Sequence, residues 1–269
     1  PAAAQKGLTN ASASVQRAAL IALDQMKTST LKVNQLTPFL THKDSSLQNT
    51  ALWVVSHHSE WANEMTAYLQ TQLGKATLNA DDQRRLKEIL VSFSGSEVTQ
   101  AFIARQLTGT SAAKKSFILD VMAACHLDTI PDTWSNQLSN ELTSGSNTGL
   151  KLEVIKLIRL QGTTNLGSIL QNVADNEKNP DELRIAAIGA LLEKDPQLPD
   201  DRFNYLYDRL QPEHPTPMRQ QVATVLSQGK LTKEQRLKLA SDFLPNGADA
   251  FILPRLMPVF KGSTEPEIG

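Results

Sequence analysis

The feature that most constrains this chain is a recurrence. An apolar triplet at i, i+3 and i+4 puts three side chains on one face of a helix. It returns seven times: Ala19/Ala22/Leu23, Ala51/Val54/Val55, Leu86/Ile89/Leu90, Ile118/Val121/Met122, Val154/Leu157/Ile158, Ala187/Ala190/Leu191 and Val222/Val225/Leu226. The steps between first members are 32, 35, 32, 36, 33 and 35 residues. A second row runs beside it, since three residues before each triplet stand Gln16, Gln48, Gln83, Lys115, Lys151, Arg184 and Arg219, polar in every copy. A recurrence at this period predicts stacked copies of one supersecondary unit.

Between successive triplets lies a second amphipathic stretch, as in Leu31 to Leu40, Trp61 to Leu73, Trp134 to Leu142 and Phe203 to Leu210. Each unit therefore reads as a helical hairpin. Punctuation agrees: Lys43-Asp44-Ser45-Ser46, Asn79-Ala80-Asp81-Asp82, Asn179-Pro180-Asp181-Glu182 and His214-Pro215-Thr216-Pro217 precede triplet helices. Asp, Asn and Ser cap free N–H groups there, and Pro in a first turn has no donor to lose. Strand signals are nearly absent, because β-branched residues fall singly inside 3.6-residue patterns. The expected fold is all-α, a superhelix of about seven to eight hairpins, each burying its apolar face against its neighbours. The run Ser144-Gly145-Ser146-Asn147-Thr148-Gly149 is the longest expected break, and the helical pattern resumes on both sides of it. It is read as a loop within one repeat domain spanning 1–269.

Composition narrows the function. With 27 Lys plus Arg against 28 Asp plus Glu, the chain has no basic field for nucleic acid or an anionic membrane. No apolar run reaches the roughly 18 residues of a membrane span. The one cysteine, Cys125, excludes an internal disulfide framework and a thiolate-rich zinc site. The expected partner is a protein, with no nucleic acid and no membrane insertion.

Few residues suggest chemistry. His57-His58-x-Glu60 lacks zincin spacing, and adjacent histidines on a helix point about 100° apart, so helix C-terminal capping is the favoured role. Met122-Ala123-Ala124-Cys125-His126 ends like a c-type haem box without its first cysteine, and Cys125 continues the apolar face of its helix. A buried structural thiol is expected. Asp81, Asp82, Glu265 and Glu267 read as helix-start carboxylates, which the macrodipole favours. No phosphate loop, nucleophile elbow or Ser/His/Asp arrangement is legible. Catalytic, cofactor and metal residues are therefore expected to be none.

Val15 to Leu23 and Leu183 to Leu191 resemble the second helix of HEAT repeats, which implies a HEAT/armadillo-like α-solenoid. The period is shorter than that of long HEAT units, and the helix-start Asp with its following Arg occurs only in some copies. Ala51 to Trp61 and Leu253 to Gly262 resemble more narrowly the HEAT-like region of large exported multidomain proteins of planctomycetes and related bacteria, membrane-bound dehydrogenases with a c-type cytochrome domain. That resemblance implies an extracytoplasmic location and a linking role between a dehydrogenase-like domain and a haem c domain elsewhere in the parent protein. No functional residue is carried over from it. The chain is expected to be a piece of a longer protein, because Thr264 stands three residues before Glu267 as a capping box for a helix with no residues left.

Two further classes compete with an interaction module: a stand-alone HEAT-like enzyme of the DNA glycosylase or bilin lyase type, and a free cytosolic scaffold. A glycosylase would want a basic aromatic groove, which the charge balance opposes. Residues pointing away from the core seam are those two before each triplet and two after its first member. They form the rows Arg17, Asn49, Arg84, Ser116, Leu152, Ile185, Gln220 and Ile21, Trp53, Glu88, Asp120, Lys156, Gly189, Thr224. From their first half come the candidate partner-binding residues Arg17, Ile21, Asn49, Trp53, Arg84 and Glu88. For Trp53 two readings stand: an outward anchor, or a ring packed under its own hairpin near Trp61.

Overall fold

Every triplet forms a helix. The computed structural model describes residues 2–26, 31–162 and 166–261, whose regular structure is helical, with no β-strand and one isolated bridge between Gln197 and Lys230 among them. They gather into two compact units, Pro1–Leu127 and Asp128–Gly269. The Thr264 and Glu267 capping box, and Glu265, lie outside the described residues.

The first unit runs α1 (Ala2–Gly7), α2 (Ala13–Gln25), α3 (Val33–Leu36) with a 3-10 turn at Thr37–Thr41, α4 (Ser45–His57), α5 (Ala62–Leu73), α6 (Ala80–Ser92), α7 (Glu97–Arg105) and α8 (Ala112–Ala124). The second continues with α9 (Asp132–Ser144), α10 (Thr148–Gln161), α11 (Gly167–Asp175), α12 (Asp181–Leu192), α13 (Asp200–Leu210), α14 (Thr216–Gln228), α15 (Lys233–Lys238), α16 (Leu244–Gly247) and α17 (Leu253–Leu256). The seven triplets fall on the even-numbered helices α2 to α14. Inside the first unit α2 packs on α4, α4 on α6 and α6 on α8; inside the second α10 packs on α12 and α12 on α14. Every triplet side chain is buried except Ala22 and Leu191, which are half-buried.

The polar row has a structural cause. Gln16, Gln48 and Gln83 donate from Nε2 to the carbonyls of Leu8 (3.3 Å), Leu40 (3.1 Å) and Leu78 (3.2 Å). Arg184 and Arg219 donate from Nε to those of Ala174 (2.8 Å) and Leu210 (2.9 Å). Each ties its helix to the segment before it by occupying a carbonyl that ends or follows that segment's helix. Of the four punctuation segments, two supply side-chain caps, since Asp44 and Asn79 accept from the N–H groups of Leu47 and Asp82. Helices α12 and α14 start at Pro180 and Pro215 without one, and Asn147, in the run read as a break, accepts from Leu150.

Two expectations are corrected. Only Gly145, Ser146 and Asn147 separate α9 from α10, so the Ser144–Gly149 run is a tight connection, with Asn147 spent on capping. The outward rows also fail on α12, where Ile185 is fully buried and Gly189 is buried against α14. A Cβ at Gly189 would lie 3.1 Å from Val225 Cγ2. With α10, α11 and α14 all packed on it, α12 has apolar neighbours on more than one face.

Candidate protein-docking surface

Four of the six predicted contact residues meet in one place. Arg17, Ile21 and Gln25 of α2 and Asn49, Thr50 and Trp53 of α4 line an open hollow of about 500 Å³. The register explains this, because Arg17 and Asn49 hold equivalent positions in neighbouring copies, as do Ile21 and Trp53. Stacking the repeats brings equivalent positions side by side. Trp53 is 45% exposed, while Trp61 is buried at 8%. The reading that packs Trp53 under its hairpin is thereby set aside.

The Trp53 ring is braced from its own helix. His57, one turn on, lies with its ring centroid 4.6 Å away at 50°. Its Nδ1–H donates to the Trp53 carbonyl oxygen at 2.7 Å, as does the Ser56 hydroxyl at 2.7 Å. That carbonyl lies one turn before the end of α4, next to the four carbonyls, Val54 to His57, that lack helical donors. His57 thus bonds backbone near the C-terminus of α4, though not one of the last four carbonyls that the expected capping role would serve.

His58 does something the sequence did not foretell. Its Nε2 bonds Asp24 Oδ1 of α2 at 2.8 Å, its Nδ1 bonds Glu60 Oε1 at 2.5 Å, and its ring stacks on the buried Trp61 at 4.0 Å and 8°. Burial opposes charge on the ring, yet the bonds to Glu60 and Asp24 outweigh it and raise the pKa above the ordinary imidazole value. In the protonated ring both nitrogens donate to these carboxylates and neither has a lone pair for a metal. Its role is to pin the end of α2 to the end of α4, fixing the spacing of the hollow.

Arg84 and Glu88 stand on α6, outside the hollow. They pair with each other at 3.7 Å, and Arg84 with Asp81 at 3.6 Å. Asp82 turns inward to the buried Arg85. Cys125 is buried as expected; its Sγ–H donates to the Val121 carbonyl at 3.3 Å. Burial pushes its pKa up to about 11, with Ser94 and Lys87 opposing only in part, so it offers little thiolate at neutral pH.

Sequence reasoning missed a cluster in the second unit. The guanidinium carbons of Arg184 and Arg209 lie 3.9 and 4.1 Å from the Tyr205 ring centroid. The Tyr205 hydroxyl donates to Asp181 Oδ1 at 2.7 Å, which also accepts from Arg209 Nε at 3.3 Å. Arg202 holds Asp175 through two bonds of 3.1 and 2.9 Å. Burial and the Asp181 bond raise the Tyr205 pKa. Against the cost of burial, Tyr205, Arg209 and Arg184 hold that of Asp181 low. The carboxylates of Asp175 and Asp181 are engaged by Arg202 and Arg209, and the raised pKa keeps the Tyr205 hydroxyl protonated at neutral pH. Arg184, as a member of the polar row, and Asp181, in the helix-start punctuation, had sequence signals, but neither pointed to Tyr205.

Among the described residues no group of three or more His, Cys, Asp or Glu side chains is arranged to hold a metal ion. No described helix is long and apolar enough to cross a membrane. No protein-family model matches the chain, and no curated protein does.

Proposed function

We propose that this chain is a non-catalytic helical-repeat module, its hairpins forming a HEAT-like solenoid, that docks protein through the α2–α4 face. One observation carries the reading: four of the residues that the repeat register points outward, Arg17, Ile21, Asn49 and Trp53, line one hollow, with the tryptophan half-exposed. Large aromatics in such positions are the anchors of protein interfaces, and isolated exposed ones on rigid helices present their area at low entropy cost. The nearest-neighbour packing of triplet helices within each unit supports the solenoid. On the HEAT-region resemblance, the docked surface belongs to a dehydrogenase-like or c-type cytochrome domain of a larger extracytoplasmic oxidoreductase.

A photo-reactive phenylalanine analogue placed at position 53 of the full-length parent protein tests this. One discrete protein contact, within the parent or on another chain, is expected. Trp53→Ala should weaken that contact by about 1–2 kcal/mol, roughly 5- to 30-fold, with an unchanged circular dichroism spectrum. Only solvent or scattered adducts at position 53 would remove the docking reading.

A further inference from the structure

We propose that the α2–α4 hollow takes an extended acidic segment of its partner, with a carboxylate on Arg17 and a bulky apolar side chain two residues along on Trp53 and Ile21. The inference rests on the docking reading and adds the chemistry of what docks.

Charge is the first ground. No carboxylate lines the hollow, and among the described residues the Arg17 side chain has no ion-pair or hydrogen-bond partner. This sets it apart from Arg84 on the next triplet helix, which Asp81 and Glu88 engage, and from Arg202 and Arg209, which Asp175 and Asp181 engage. A guanidinium offers a planar fork that matches a carboxylate with two parallel bonds.

Spacing is the second. Arg17 and Ile21 are four residues apart on α2, about 6 Å along the axis, and Asn49 and Trp53 repeat that offset on α4. In an extended chain, side chains i and i+2 share a face and stand about 6.6 Å apart. A carboxylate and an apolar group at that spacing reach both ends of the hollow together. The carboxamides of Asn49 and Gln25, without partners among the described residues, supply both donors and acceptors for the backbone of the segment.

The next copies offer no equivalent of Arg17 for a longer acidic run. On α6 Arg84 is engaged by Asp81 and Glu88, and on α8 the matching position is Ser116, with Asp120 taken up by Lys87.

The test uses the full chain and a labelled seven-residue peptide, acetylated and amidated, with glutamate and phenylalanine two positions apart, beside its glutamine counterpart. Fluorescence anisotropy should show the glutamate peptide binding about fivefold tighter at low salt, the scale of an exposed ion pair. Arg17→Gln should erase that advantage without changing the glutamine peptide, and Trp53→Ala should weaken both. Equal binding of the two peptides, an advantage that survives Arg17→Gln, or no binding at millimolar peptide would overturn the inference. Position-53 cross-linking reads the docking surface separately: a discrete cross-link with no glutamate preference keeps the surface and discards the acidic segment.

Discussion

The α2–α4 face of the first unit and the α12–α13 region of the second start from the same repeat and end in opposite states. Both have an arginine near the start of a triplet helix and an aromatic nearby. In the first, Arg17 and Trp53 face solvent, and among the described residues the side chains of Arg17, Gln25 and Asn49 at the hollow have no partner. In the second, Arg184 gives its Nε to the Ala174 carbonyl and its flat face to Tyr205. Asp181 and Asp175 take up Arg209 and Arg202. The residues that would have been outward on α12, Ile185 and Gly189, are buried. A repeat thus leaves a usable surface where neighbours fail to answer its polar groups, and closes it where they do. An arginine-rich cluster is the poorer candidate of the two, because its charges are already neutralised.

The comparison is broken most severely by making equivalent positions alike. Ile185→Asp places an unpaired carboxylate in a packed interior and should cost a few kcal/mol in denaturant unfolding. Arg17→Asp, at the matching position of α2, should stay within about 0.5 kcal/mol. Similar losses at the two sites would mean that the faces do not differ. Next in size, Tyr205→Phe removes a hydrogen bond to a carboxylate and should cost about 1–2 kcal/mol, whereas Trp53→Ala should change unfolding by less than about 1 kcal/mol while impairing docking. A Trp53→Ala loss larger than that of Tyr205→Phe would mark the tryptophan as structural.

The smallest effects sharpen the contrast through pH. The His58 pKa is raised in the fold, so its bonds to Asp24 and Glu60 stabilise fully below the unfolded imidazole value of about 6.5 and fade as pH rises through the folded value. The stability gap between the parent chain and His58→Gln should therefore narrow on going from pH 6 to alkaline conditions, about 6 to 9. Asp181 is lowered, so its contribution is present above the unfolded carboxylate value of about 3.9 and lost as pH falls through the folded one. The gap to Asp181→Asn should narrow only in acid. Urea midpoints across pH read both; a His58→Gln gap that widens with rising pH would refute the clamp.

The sequence by itself determined the helices and their register. Period, polar flank and caps are local properties, each set by backbone geometry within one turn or by a side chain reaching five to ten residues upstream. Gln48 bonding the Leu40 carbonyl, Asp44 capping α4 and the burial of Val54 and Val55 follow from them. The same register brought Arg17, Ile21, Asn49 and Trp53 to one hollow, because stacking copies of a repeat carries equivalent positions into contact. Tertiary structure alone decided which outward positions stay outward. Nothing local distinguishes Ile185 from Leu152 or Gly189 from Thr224; the neighbours packed on α12 do, and they lie far along the chain or across a hairpin. It also decided the long-range polar pairs, His58 with Asp24 at a separation of 34 residues and Tyr205 with Asp181 at 24. A buried polar group takes whichever partner the packing brings within reach, and that distance is a property of the assembled helices rather than of any one of them.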